Sequence, residues 1–315
     1  MSEIELHRKL LGDTARNAAF HDALKALIEP QRSTVLDIGA GTGFLSFLAR
    51  RLGAKQATLI EYSDALELAE ELARRNRIDG LSFIKAHSSE VRRKIAVDIV
   101  VTETLGNYAL EENFLETAID ARRFLKADGV IVPGRLRQYV APVLNARLQA
   151  EIDVWPQVGY DLDLDPARTI SLNNMYVRTV VAADLGGDAK HAQCWDDLDL
   201  RPNQPAPPSA RRKTLHWKAE ALAGARVEGY ALWWEAELID GISISTSPFA
   251  PATHWQHIYL PLLKPYTLEA GETLELTLGS DTRPEVGVRV SWKTRRLRGG
   301  KGGDEQALDS LRGQL

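Results

Sequence analysis

A strand that runs straight into three glycines and then into a helix constrains this chain more than any other stretch. Residues 34–54 read TVLDIGAGTGFLSFLARRLGA: a short aliphatic run, then Gly39, Gly41 and Gly43, then an amphipathic segment from Phe44. Glycines at a strand end let the backbone turn sharply and let a ligand lie against it. Up to residue 133, short apolar runs alternate with amphipathic stretches. TVLDI, ATLIE, LSFIKA, VDIVVTE and VIVP read as strands, and Phe44–Leu52, Ala65–Asn76 and Glu111–Lys126 as helices. Residues 4–29 read as helical up to Pro30. Strands alternating with helices predict an α/β domain with a parallel sheet covered on both faces.

The composition then changes. All seven tryptophans lie after residue 150, and twelve of the fourteen prolines after residue 135. A boundary near Pro133-Gly134 follows, and 315 residues make roughly two domains. RLRQYVAPVL, KTLHWKAEAL, EGYALWWEAEL, HIYLPLL, ETLELTLGS and VGVRVSWKTRRLR are strand-like, which predicts a β-barrel or sandwich over 134–295. Residues 150–195 read as an irregular insertion with a short helix in DPARTISLNNMY. The glycine-rich, charged end from residue 296 reads as a flexible tail.

Composition also excludes. The net charge of -4 argues against a protein built on nucleic-acid phosphates. No apolar run approaches the ~18 residues of a membrane span. Cys194 is the single cysteine, so a disulfide framework and a cysteine-based zinc site are ruled out. His254 and His257 lack companion ligands, so no metal is expected. The start, MSEIELHRKLL, is acidic where a secretion signal is basic, which points to the cytoplasm.

Two motifs carry chemistry. The glycines are spaced GxGxG, and Phe44 stands where GxGxxG needs a small residue. Glu61 closes the second strand, where a carboxylate can accept both hydroxyls of a ribose. This resembles the class I S-adenosylmethionine-dependent methyltransferases, with S-adenosyl-L-methionine as cofactor; a plain turn cluster and a dinucleotide site are the alternatives. Glu103 ends a later strand and Glu112 follows nine residues on. Two facing carboxylates repel unless a cation sits between them, and a planar guanidinium matches that role. Glutamates favoured by a helix dipole are the plainer reading.

With these motifs, HRKLLGDTARNAAFHDAL, ETLGNYALEE and STSPFAPATHW make the chain resemble the protein arginine N-methyltransferase family, as a compact, bacterial-like member. The resemblance covers residue 7 to about residue 260. It implies a Rossmann-like domain, a β-barrel with an inserted dimerisation arm near 150–195, a cis Pro133 and a homodimer. It assigns Glu103, Glu112, His254 and Asp13 to catalysis, with Glu103, Glu112 and Trp255 on the substrate. It assigns His7, Arg16, Asp37, Gly39, Gly41, Glu61, Ser89 and Glu90 to the cofactor, with Arg16 on the cofactor carboxylate. Family members usually carry a tyrosine-rich helix before the position of His7, and Met1–Leu6 contain no aromatic residue. The substrate is then arginine in a protein or peptide, free L-arginine or another small guanidine; a silent cofactor-binding dimer is the reading from another class.

Overall fold

The computed structural model describes residues 3–222 and 224–314. The N-terminal helical stretch splits into α1 (Glu3–Gly12) and α2 (Thr14–Leu27), because Asp13 leaves the helix and accepts from the Arg16 amide as an N-cap. Then β1 (Thr34–Ile38), β2 (Gln56–Glu61), β3 (Leu81–Lys85), β4 (Val97–Thr102) and β5 (Leu125–Val132) pair in the order β3-β2-β1-β4-β5, all parallel. Helices α3 (Phe44–Arg51), α4 (Ala65–Arg75) and α5 (Phe114–Ala121) supply the crossovers. Val35, Leu36, Leu59, Val100, Val101 and Ile131 are fully buried, as a sheet covered on both faces requires. The chain turns left from β1 to β2 and β3 and right to β4, so the crevice for a ligand lies at the carboxyl ends of β1 and β4.

The helix expected over 111–126 is shorter. Glu112 and Asn113 both have φ 57°, so the chain enters α5 only at Phe114, and Lys126 already belongs to β5. The Val132–Pro133 bond is cis, as the resemblance implied.

Beyond it lie β6 (Arg135–Val143), α6 (Arg147–Ile152), α7 (Asp165–Leu172), β7 (Tyr176–Arg178), β8 (Gln193–Asp199), β9 (Ala210–Lys218), β10 (Arg226–Ile239), β11 (Ile242–Ser245), β12 (His257–Thr267), β13 (Glu272–Asp281), β14 (Arg289–Arg298) and β15 (Lys301–Asp309). Six of these strands form one antiparallel sheet, β7-β12-β10-β6-β8 with β11 on β10; β15-β14-β13-β9 form a second. The arrangement is barrel-like, as expected, with no backbone ladder joining the two sheets among the described residues. Side chains stitch the edges of β8 and β9 instead. Lys213 Nζ donates to the Cys194 carbonyl at 2.8 Å and Gln193 Nε2 to the His216 carbonyl at 2.9 Å. Tyr230 and Trp292, both fully buried, reach across the space between: the Tyr230 hydroxyl lies 3.0 Å from Thr294 Oγ1 and Trp292 Nε1 donates to the Pro261 carbonyl at 2.7 Å.

The expected insertion over 150–195 takes in the end of α6 and all of α7, but it also takes in β7 and the start of β8, which belong to the six-stranded sheet. Val154, Val158, Tyr160 and Leu162 are exposed on its outer part. The expected flexible tail is ordered. Residues 301–309 pair with β14 through a two-residue turn, Gly299-Gly300, both at positive φ as a type I′ hairpin requires. Arg298 is held there by Glu269. The Asp309 amide donates to Asn173 Oδ1 at 2.8 Å, docking the hairpin beside α7. No helix among the described residues is long and apolar enough to cross a membrane.

Candidate active site

The glycine loop is a close-packed saddle. Gly39 has φ +71° and Gly41 φ +51°; a Cβ on the first would stand 2.5 Å from Thr104 Cγ2, and on the second 2.5 Å from His7 Cε1. His7 of α1 therefore lies over the loop. Asp37 is buried beneath it and accepts from the Ser46 amide at 3.1 Å and hydroxyl at 2.9 Å, tying β1 to α3. Burial pushes the Asp37 carboxyl up to about 7, against the pull of Ser46 and Arg16. An acid raised in the folded state loses folding stability as pH climbs from its unfolded value of 3.8 to about 7, and carries that loss above it. Asp37→Asn will therefore gain in Tm relative to the native chain as pH rises across that window. Thermal scans between about pH 4 and pH 8 check it, and a Tm difference independent of pH overturns it.

Glu61, buried at the end of β2, accepts from the Gly41 amide at 2.9 Å and from the Ser63 amide at 2.8 Å. It shapes the loop as well as facing the crevice. Beside it a cavity of about 310 Å³ is lined by Gly39, Glu61, Tyr62, His87, Ser88 and Thr104, with Glu112 at its edge. The Thr104 hydroxyl is buried there without a hydrogen-bond partner among the described residues. A nucleoside-sized space, a carboxylate, aliphatic walls from Ile38 and Ile60 and a waiting hydroxyl fit the adenosyl group of S-adenosylmethionine.

Ser89 and Glu90 do not line this cavity. They lie exposed in a 3₁₀ turn over Ser88–Glu90, capped by His87, whose Nδ1 is 2.7 Å from Ser89 Oγ. The wall is made by Ser88 and His87, one and two positions before Ser89. Tyr62, next to Glu61, was also missed; its adjacency to a strand-ending acid was the only sequence signal.

The second cluster assembles residues from both domains. Arg16 Nε donates to Glu103 Oε2 at 2.7 Å, and Nη2 reaches the same oxygen. Both side chains are buried, and Arg16 and Glu103 line a small cavity with His7, Asp37, Gly39 and Gly41. Arg16 thus stands beside the glycine loop as expected, but its charge is committed to Glu103. Burial raises the Glu103 carboxyl above its usual range, Arg16 opposes this, and Glu112 is near enough to push it further up. Glu112, exposed at the mouth, is also raised, by partial desolvation and then by Glu61.

Asp13 receives the His254 amide and His254 Nδ1, each at 2.8 Å. Burial works to raise the Asp13 carboxyl, but the Arg16 and His254 hydrogen bonds outweigh it and hold it below the usual range. For His254 burial wins over Asp13 and lowers its pKa, so the ring is neutral near pH 7. With Asp13 as acceptor, Nδ1 is assigned the proton and Nε2 a lone pair. Trp255 is buried and does not line either cavity. Its Nε1 donates to the Leu105 carbonyl at 2.8 Å and its ring meets Trp234 at 4.8 Å, so it supports the loop that carries Glu103 from behind. Among the described residues, no group of three or more His, Cys, Asp or Glu side chains could hold a metal.

This architecture matches known proteins. A methyltransferase-domain model matches residues 31–182, and the arginine methyltransferase oligomerization subdomain matches residues 136–295, about half of the chain. Protein arginine N-methyltransferase 6 of Danio rerio is 27% identical over 274 residues, covering 83% of this chain and 77% of that protein. Protein arginine N-methyltransferase 1 of Schizosaccharomyces pombe is 28% identical, covering 87% and 81%. Among solved structures, the Trypanosoma brucei enzyme–prozyme heterotetramer of protein arginine methyltransferase 1, in complex with AdoHcy, superimposes with a TM-score of 0.82 at 21% identity, over 96% of this chain and 97% of that one. Arabidopsis thaliana protein arginine methyltransferase 10 gives 0.77 at 19% identity, over 96% and 97%. A glycine loop and a pair of glutamates on the parallel sheet, closed from behind by a Thr-His-Trp segment of the antiparallel domain, thus sit in a chain that belongs to the protein arginine N-methyltransferase family.

Proposed function

We propose that this chain transfers the methyl group of S-adenosylmethionine to a guanidinium nitrogen of arginine in a protein or peptide, as a cytoplasmic homodimer. What supports the reading is the placement of the two glutamates on cavities that share Gly39: Glu103 lines the small one with Arg16, and Glu112 lines the nucleoside-sized one. The cofactor, when bound, supplies an activated methyl on a sulfonium; the chain supplies position and charge. Glu61 and the glycine loop hold the nucleoside end, with His7 packed over Gly41. Arg16 stands where a cofactor carboxylate would meet it, and its hold on Glu103 joins the cofactor end to the substrate end. Glu112 and Glu103, whose Oε1 accepts a long 3.3 Å bond from the Leu105 amide, grip the incoming guanidinium. Arginine keeps its proton at neutral pH, with a pKa above about 12. Two carboxylates on its other nitrogens draw positive charge toward themselves and leave the target nitrogen more nucleophilic. Correct orientation of the reacting pair is worth up to ~7–11 kcal/mol. The proton released is then within the province of neutral His254, held by Asp13. The exposed apolar run Val154–Leu162 supports the dimer, since isolated monomers rarely leave such patches bare.

The test offers labelled S-adenosylmethionine with Arg-Gly-Gly peptides or with free L-arginine in separate reactions. Label on the peptides is expected. Label on free arginine alone replaces the protein substrate by a small guanidine, and label on neither with retained cofactor binding leaves a silent binding protein.

A further inference from the structure

Between Glu103 and Glu112 lies a residue that reaches out of the parallel-sheet domain altogether. Tyr108 is 1% exposed, and its hydroxyl donates to Ser280 Oγ of β13 at 2.7 Å. Ser280 also accepts from Arg211 Nη2 of β9 at 3.1 Å. Arg211 Nε donates to Asp196 Oδ2 of β8 at 2.8 Å, and Gln138 Nε2 of β6 reaches the same oxygen at 3.0 Å. Arg211 and Asp196 are nearly buried, and they bridge the edges of the two antiparallel sheets where no backbone ladder does. A buried polar chain of this kind is expensive to leave partly unmade, so each member fixes the next.

The consequence is felt at Glu112. The Glu111 amide donates to the Tyr108 carbonyl at 2.9 Å, and Phe114 on the far side is fully buried. Glu112 and Asn113, caught between these anchors, adopt left-handed backbone that non-glycine residues hold only when their surroundings over-determine it. The other contacts of the loop fall earlier. Trp255 holds the Leu105 carbonyl, Trp234 the Gly106 carbonyl at 3.0 Å, and Asn107 Oδ1 takes the Gln256 amide at 2.7 Å. Tyr108 makes the last of these hydrogen bonds before Glu112, and on the far side Glu116 of α5 accepts from the Thr282 hydroxyl at 2.9 Å.

We infer that Tyr108 is a positioning residue: through Ser280, Arg211 and Asp196 it ties the glutamate loop to the seam between the two β-sheets and so sets where Glu112 stands. The inference rests on the arginine methyltransferase reading for its catalytic consequence. It says that the second domain does more than cover the site, because the seam determines the geometry of the guanidinium grip.

Tyr108→Phe and Ser280→Ala remove the link from either end. Each is expected to lower kcat/KM for an arginine peptide by roughly tenfold, the size of one well-made buried hydrogen bond. The Kd for S-adenosylhomocysteine, measured by calorimetry, stays unchanged, because Glu61 and the glycine loop are untouched. The double variant falls no further than either single, because both break one chain. Amide hydrogen exchange supplies a readout that needs no turnover: residues 109–113 exchange faster in both variants while β1 and β2 do not. If the native chain proves inactive on arginine, the exchange result still decides whether Tyr108 holds the loop. Native kinetics with native exchange in Tyr108→Phe, or losses that multiply in the double variant, overturn the inference. Should Tyr108→Phe unfold, Ser280→Ala reads the same link alone.

Discussion

Glu112→Gln will lose methyl transfer by about 10²–10³-fold with an unchanged Tm, whereas Glu103→Gln will lose both transfer and stability. The two glutamates occupy opposite environments. Glu112 is exposed at the mouth, and its replacement by an isosteric amide leaves the packing intact. What is removed, on the proposed function, is a fixed negative charge aimed at the guanidinium, and preorganised charges of this kind are worth that factor. Glu103 is buried against Arg16, with side chains only 4% and 7% exposed. Neutralising it strands a buried guanidinium, and breaking a buried pair from one side costs roughly 3–5 kcal/mol. Initial rates with labelled cofactor and thermal scans separate the two cases. A Glu112→Gln chain that keeps more than about a tenth of native activity sinks the assigned grip, and a Glu103→Gln chain as stable as native sinks the account of Arg16.

Gly39→Ala and Gly41→Ala will each weaken S-adenosylhomocysteine binding by at least about 10²-fold. At both positions φ is positive, and the added methyl would come within 2.5 Å of Thr104 or His7. Left-handed strain of about 1–3 kcal/mol adds to that contact. At Gly41 the damage spreads, because its amide is the donor that orients Glu61. Gly12→Ala is the control. A methyl there meets nothing within 4 Å, and affinity should not change. Calorimetry on all three chains decides the matter; equal affinities for Gly41→Ala and Gly12→Ala would falsify the saddle as the cofactor's seat.

Much of the parallel domain could be read ahead of the structure. Each of its five strands overlaps an apolar run that predicted it, though β5 begins at Leu125, ahead of VIVP, and Asp37, Gly39, Gly41 and Glu61 meet at one saddle. The misreadings share a cause. Lys301–Asp309 reads KGGDEQALD, with few β-formers, so it looks like tail; its partner β14 and the Gly299-Gly300 turn make it a strand. Ser89 and Glu90 were displaced from the cavity by a cap that His87 makes. Trp255, which the resemblance put on the substrate, packs behind the loop that carries Glu103, with its Nε1 on the Leu105 carbonyl.

What the sequence by itself determined is whatever depends on neighbours in the chain: strand, glycine turn and helix in the first 130 residues, and the alternating strands beyond them. Such features arise from backbone sterics and side-chain period, which act over a few residues. Only the tertiary structure decided that Arg16 would spend its charge on Glu103, that Asp13 would meet His254 across 241 positions, and that Tyr108 would end at Ser280. Those contacts join residues far apart in the chain, and a hydrogen bond of 2.7–2.9 Å is fixed by packing in three dimensions, which no local pattern encodes.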